Sequence, residues 1–172
     1  MRQQIVQRKR PAGICSIVGY ALIWTVILAC LPFVLPRLFG YEVYAIVSGS
    51  MEPAVLTGSA VYVEHVWPEQ VTEGDIITFY GGGNGDLVTT HRVMENRREK
   101  REFLTKGDAN PQPDMLPRSY ESLIGRVKWV IPYAGMVLEV ISGLSGKFFL
   151  GLVLAAAVFL CMVGGRRQKS NR

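Results

Sequence analysis

From Pro11 to Pro36 the chain carries no charged side chain: PAGICSIVGYALIWTVILACLPFVLP. These 26 residues exceed the ~20 that a helix needs to cross a hydrocarbon core. Backbone groups in lipid must bond within their own segment, so a spanning run of this kind has to be helical. A second uncharged run, FFLGLVLAAAVFLCMVGG, covers Phe148 to Gly165. Its 18 residues are marginal by length, but Lys147 and Arg166 bracket it and can snorkel. The two runs predict transmembrane helices over 11–36 and 148–165. Residues 37–147 must then fold as one domain between them.

The formal charge of +5 is unevenly placed. The first ten residues hold Arg2, Arg8, Lys9 and Arg10, and the last seven hold Arg166, Arg167, Lys169 and Arg172. Between positions 11 and 165, eleven basic residues face all fourteen acids, so the body is slightly acidic. A nucleic-acid-binding domain would need a basic face there, and nucleic acid is excluded as a partner. Basic residues beside a span stay on the cytoplasmic side, which predicts both tails, 1–10 and 166–172, in the cytoplasm and residues 37–147 outside. A cleaved signal peptide fits the first run poorly, because its apolar region is usually only ~7–15 residues. Ile27-Leu28-Ala29-Cys30 is a weak lipoprotein-like box inside a run that continues past it. Cys15, Cys30 and Cys161 all fall in the apolar runs, so the outer domain has no disulfide framework and depends on its core.

Within that domain, β-branched and aromatic clusters alternate with turn residues. Strands are predicted at 43–47, 60–66, 75–80, 87–94, 103–106 and 123–130. The Gly81-Gly82-Gly83-Asn84-Gly85 tract ends the third, and the charged stretch Glu95 to Glu102 forms a solvated hairpin. Pro132 to Leu144 reads as an apolar connector. Six short strands with Gly- and Pro-rich turns imply a mainly β domain, an antiparallel curled barrel or sandwich, between two transmembrane helices.

Candidate chemistry is confined to few residues. A serine nucleophile needs a base within hydrogen-bond reach, and a histidine base is usually oriented by a carboxylate. Ser50 lies in VSGSMEP, where Gly49 allows a close backbone approach and Pro53 forces Glu52 to be extended. The chain has two histidines, His65 and His91, the second inside the strand TTHRV. Asp108 and Asp114 lie in KGDANPQPD. Taken singly, each has an ordinary structural explanation: a polar turn, a strand histidine, two loop carboxylates. Two histidines and no cysteine outside the apolar runs leave no metal-ligand set, and no cofactor motif is present.

Together, SGSMEP after an N-terminal span, then EGDIITF, TTHRV and TKGDAN followed by Asp114, resemble type I signal peptidases in order and spacing. The match covers about residues 40–132. His91 in TTHRV is similar to the Ser-His branch found in archaea, the endoplasmic reticulum and some Gram-positive bacteria, where other bacterial members have a lysine. The resemblance implies a membrane-bound serine endopeptidase that removes signal peptides after small residues. Ser50 would be the nucleophile, His91 the base, and Asp114 or Asp108 its orienting carboxylate. The Ser50 N–H, with the Ser48 hydroxyl, would form the oxyanion hole, and His65 would be structural. The implied partners are signal-peptide-bearing precursors, the lipid bilayer and the secretion translocon, with no cofactor. Two alternatives remain open: the same fold dedicated to a few secreted substrates, and a non-catalytic membrane-anchored β-domain scaffold.

Overall fold

A computed structural model describes residues 14–81 and 87–170, with side chains described as far as residue 163. The basic tail 1–10, most of the glycine tract (82–86) and residues 171–172 lie outside the described residues, as do the side chains of the second basic tail. The chain divides into two compact units, one holding the terminal helices and the other spanning Pro32–Gly143.

In the first unit, α1 (Ile14–Val34) and α3 (Leu144–Ser170) are both long and apolar enough to cross a membrane. At ~1.5 Å per residue, the 21 residues of α1 reach about 30 Å. Ile14, Trp24, Phe148 and Leu152 point outward, as a lipid-facing surface requires, and among the described side chains of these helices only Ser16, Gly19 and Ala157 are buried. At Gly19 the helices meet: a Cβ there would come within 2.5 Å of Cys161 Sγ and 2.8 Å of the Ala157 carbonyl oxygen. Small residues permit that approach.

The second unit is a seven-stranded sheet. Its strands are β1 (Tyr41–Ala45), β2 (Ala60–Glu64), β3 (Ile76–Tyr80), β4 (Val88–Arg97), β5 (Glu102–Lys106), β6 (Arg118–Ser119) and β7 (Leu123–Ile131). The order is β1-β2-β7-β3-β4-β5-β6, and every pairing is antiparallel. Register shifts at Tyr62/Val63, Thr78/Phe79 and Val93/Glu95 bend the strands, and the sheet curls into a half-barrel. The expected mainly β, antiparallel curled domain is present.

Two apolar clusters fill the curl: Val71, Ile77, Phe79, Val93, Phe103 and Tyr120, and beside them Met51, Val55, Val61, Val63 and Ile124. Phe79 and Phe103 are fully buried, each contributing about 1.5–3 kcal/mol over exposure.

Three local expectations change. The hairpin at 95–102 begins later, because β4 runs on to Arg97. Asn96 holds that extension by donating from Nδ2 to the Pro68 and Val71 carbonyls at 3.0 and 2.8 Å. Strand β6, two residues long, was below any sequence signal. The connector at 132–144 contains a helix, α2 (Ala134–Ser142). Ala134 and Leu138, one turn apart, pack on Val43, Ala60 and Tyr62. Gly135 lets the helix touch the chain at Ser59, where an added Cβ would lie 2.2 Å from the Ser59 carbonyl oxygen.

Candidate active site

Ser50 sits in a single 3-10 turn, Gly49–Met51, directly after the extended Ser48. The turn is pinned from below by Met51, which is buried with Val55, and Val55 N–H returns to the Met51 carbonyl at 2.9 Å. Glu52 is extended, as the following proline demands, and its carboxylate accepts from Thr57 N–H (3.1 Å) and Thr57 Oγ1 (2.8 Å). Those two bonds hold the Glu52 carboxyl below the usual glutamate range. The first N–H groups of a helical turn have no partner inside it, and the Ser50 N–H is one of these.

The loop after β5 supports the bend from the other side. The Ser50 carbonyl accepts the Ala109 N–H at 2.9 Å. Gly107 makes room for this contact, since a Cβ there would lie 2.6 Å from the Ser50 carbonyl oxygen.

His91 is buried on β4, opposite Ile77 of β3, with Phe79 edge-on at 6.2 Å between ring centres. Its Nδ1 is 2.8 Å from Asp114 Oδ2, and its Nε2 is 3.3 Å from Ser50 Oγ. An ionised carboxylate can only accept, so Nδ1 donates to it, and in the neutral ring Nε2 then faces the serine as an acceptor. The contact with Ser50 is at the long end of the hydrogen-bond range. Asp114 Oδ2 also accepts the Thr105 hydroxyl at 2.7 Å, and Asp114 N–H donates to the Thr105 carbonyl at 2.8 Å.

Asp108 does not touch His91. Its two oxygens accept Arg92 Nε at 2.8 Å and Arg92 Nη2 at 2.6 Å, and that pairing raises the guanidinium above its ordinary value. Arg92 Nη1 also reaches the Gly74 carbonyl at 2.7 Å. Neighbouring strand residues point to opposite faces, so His91 and Arg92 collect different aspartates. The Ser48 and Ser50 hydroxyl oxygens are 3.4 Å apart. His65 is exposed, and its Nδ1 lies 3.2 Å from the Ile124 carbonyl.

Beside Ser50 lies a groove of about 310 Å³, walled by Tyr44 to Ser48 on one side and Leu87 to Thr90 on the other, with Met51 at its base. Burial, together with a hydrogen bond to Glu42, raises the Tyr44 phenol above its ordinary value. Neither wall was legible as a pocket in the sequence. Thr105 was also missed, although the alternation Phe103-x-Thr105 does point its hydroxyl inward.

Residues 19–100 match the family model described as signal peptidase, peptidase S26. The chain is 36% identical over 91 residues to signal peptidase I W of Bacillus subtilis, a match covering 51% of this chain and 47% of that protein. It is 30% identical over 129 residues to the signal peptidase complex catalytic subunit SEC11C of Rattus norvegicus, covering 69% of this chain and 67% of the relative. Against the catalytic subunit SEC11 of Candida tropicalis it is 32% identical over 133 residues, covering 68% and 76%. The chain thus spans about half the length of the Bacillus relative and two thirds or more of the other two.

Proposed function

The chain belongs to the signal peptidase family, peptidase S26, and from that premise we propose that it is a membrane-bound serine endopeptidase that cleaves signal peptides from exported precursors. The observation that carries this reading is the hydrogen-bonded row Ser50–His91–Asp114 beside an open groove. Ser50 Oγ attacks the scissile carbonyl while His91 Nε2 takes its proton, and Asp114 stabilises the resulting imidazolium. The Ser50 N–H and the Ser48 hydroxyl bond the tetrahedral oxyanion. His91 then returns the proton to the leaving amine, which departs as the mature chain. Water hydrolyses the acyl-enzyme by the same path in reverse, freeing the signal peptide and the Ser50 hydroxyl.

The substrate enters as an extended strand. The groove walls are the end of β1 and the start of β4, both backbone segments able to pair with a peptide. Alternate side chains of that peptide then face Ile46, Val88 and Met51, an apolar lining that suits small residues near the cut. The two terminal helices span the membrane with both basic tails in the cytoplasm, so residues 37–147 work on the outer side. Ser50 follows the first apolar run by only fourteen residues in the sequence. Precursors leaving the secretion translocon are the substrates at hand there, and we propose contact with it.

The test is precursor processing in membranes carrying Ser50→Ala or His91→Ala at normal abundance. Each should abolish cleavage, because the two act as one unit and either loss costs nearly as much as both. Normal processing by either variant removes the assignment.

A further inference from the structure

Thr105 is fully buried on β5, on the same face as Phe103. A valine would fill that volume equally well and suits a strand. Threonine brings a hydroxyl, and a hydroxyl withdrawn from water is costly unless it finds a partner. Its partner is Asp114 Oδ2 at 2.7 Å, the same oxygen that accepts His91 Nδ1–H at 2.8 Å. The backbone repeats the grip, since Asp114 N–H donates to the Thr105 carbonyl at 2.8 Å. A single strand residue therefore holds Asp114 at both its main chain and its carboxylate.

This matters because of where Asp114 lies. Residues 107–117 form no helix or strand, so sheet pairing does not position the aspartate. A carboxylate bonded to a histidine alone can still swing about its last torsion, whose energy wells are broad. Two donors arriving at one oxygen from different elements, β4 and β5, remove that freedom. The His91 ring is then fixed by the carboxylate, and with it the direction in which Nε2 faces Ser50.

We propose that Thr105 is a positioning residue of the hydrolytic site, acting through Asp114 on His91 without touching substrate. The proposal rests on the reading of Ser50, His91 and Asp114 as the catalytic row. Misplacing a reacting group by ~1 Å costs on the order of 10²-fold, and a smaller displacement costs less.

The test uses the full chain, purified in detergent, with kcat and KM measured on a synthetic precursor. Thr105→Val should lower kcat by about 10–100-fold, up to the cost of a ~1 Å misplacement, with KM within about twofold of the parent. Thr105→Ser, which keeps the hydroxyl, should stay within a few-fold of the parent kcat. If the valine variant does not fold, Thr105→Ala replaces it in the same comparison. A hydroxyl that serves only the fold would lower Tm in the valine or alanine variant and leave the kcat of the folded enzyme intact, and that result overturns the proposal. A serine variant as slow as the valine variant overturns it too. Asp114→Asn, run in parallel, separates the two levels: parental turnover in Asp114→Asn rejects the catalytic row itself. Slow turnover there with parental kcat in Thr105→Val rejects only the role of Thr105. In the double variant Thr105→Val/Asp114→Asn, the threonine change should add little to the aspartate change, since both act through one carboxylate.

Discussion

Replacing Gly107 with alanine should cripple turnover while leaving the sheet intact. The added methyl carbon would sit 2.6 Å from the Ser50 carbonyl oxygen and 2.7 Å from Asn110 Nδ2. The Asn110 side chain can turn away, but the carbonyl is backbone and cannot. An ordinary contact needs at least 3.4 Å, so the serine turn and the Gly107 loop must part by about 0.8 Å. That motion also stretches the Ala109 N–H bond to the Ser50 carbonyl, now 2.9 Å. Overpacking of this kind typically costs about 1–3 kcal/mol of stability, which a domain with two filled apolar clusters can absorb. Catalysis is less forgiving, because Ser50 Oγ already stands 3.3 Å from His91 Nε2 and a shift near 1 Å costs on the order of 10²-fold. Steady-state cleavage of a synthetic precursor, paired with a thermal melt of the same preparation, separates the two effects. The expected result is kcat down by about 10²-fold with Tm lowered by roughly 4–15 °C and the protein still folded at the assay temperature. Parental kcat in Gly107→Ala would refute the argument that this loop sets the position of the nucleophile.

The two aspartates should part company. Asp114→Asn should lower kcat by up to ~10⁴-fold at nearly unchanged Tm, the effect of neutralising a triad carboxylate. Asp108→Asn weakens the Arg92 pair, about a third of whose guanidinium side chain is exposed, so a loss of about 1 kcal/mol and a few degrees of Tm is expected. A larger turnover loss at Asp108 would reverse these roles. Glu52→Gln tests the pinning of the serine turn by pH. The folded carboxyl is depressed by Thr57, so its stabilisation is fully present above the unfolded glutamate value and fades as pH falls through the folded one. Melting curves should show the parent above Glu52→Gln at pH 7 and the two converging in acid; a gap that persists at low pH would contradict this.

The order of elements was largely legible in the sequence because each carries its own periodicity. Val61-Tyr62-Val63 and Ile76-Ile77-Thr78-Phe79 read as strands without reference to the rest of the chain. Their neighbours do not read that way. β7 enters the sheet between β2 and β3, and nothing local in Leu123–Ile131 encodes that placement. The helix Ala134–Ser142 was hidden for a related reason: it is short, and its register is set by Val43 and Tyr62, which are remote in sequence. At the site, the motifs put Ser50, His91, Asp108 and Asp114 on one short list. Which aspartate meets the histidine depends on the faces of β4, and that ordering is geometric. Thr105 was out of reach because a lone threonine in a strand pattern is unremarkable until the oxygen beside it is known.

The most direct test of the central claim is to map a covalent adduct. The full chain in membranes is incubated with an acylating inhibitor directed at signal peptidases, then digested and analysed by mass spectrometry. A serine nucleophile activated by His91 should carry the acyl group on Ser50, at one per chain, and neither Ser50→Ala nor His91→Ala should label. An unlabelled parent chain that is folded, or an adduct that forms equally well in His91→Ala, would contradict the assignment.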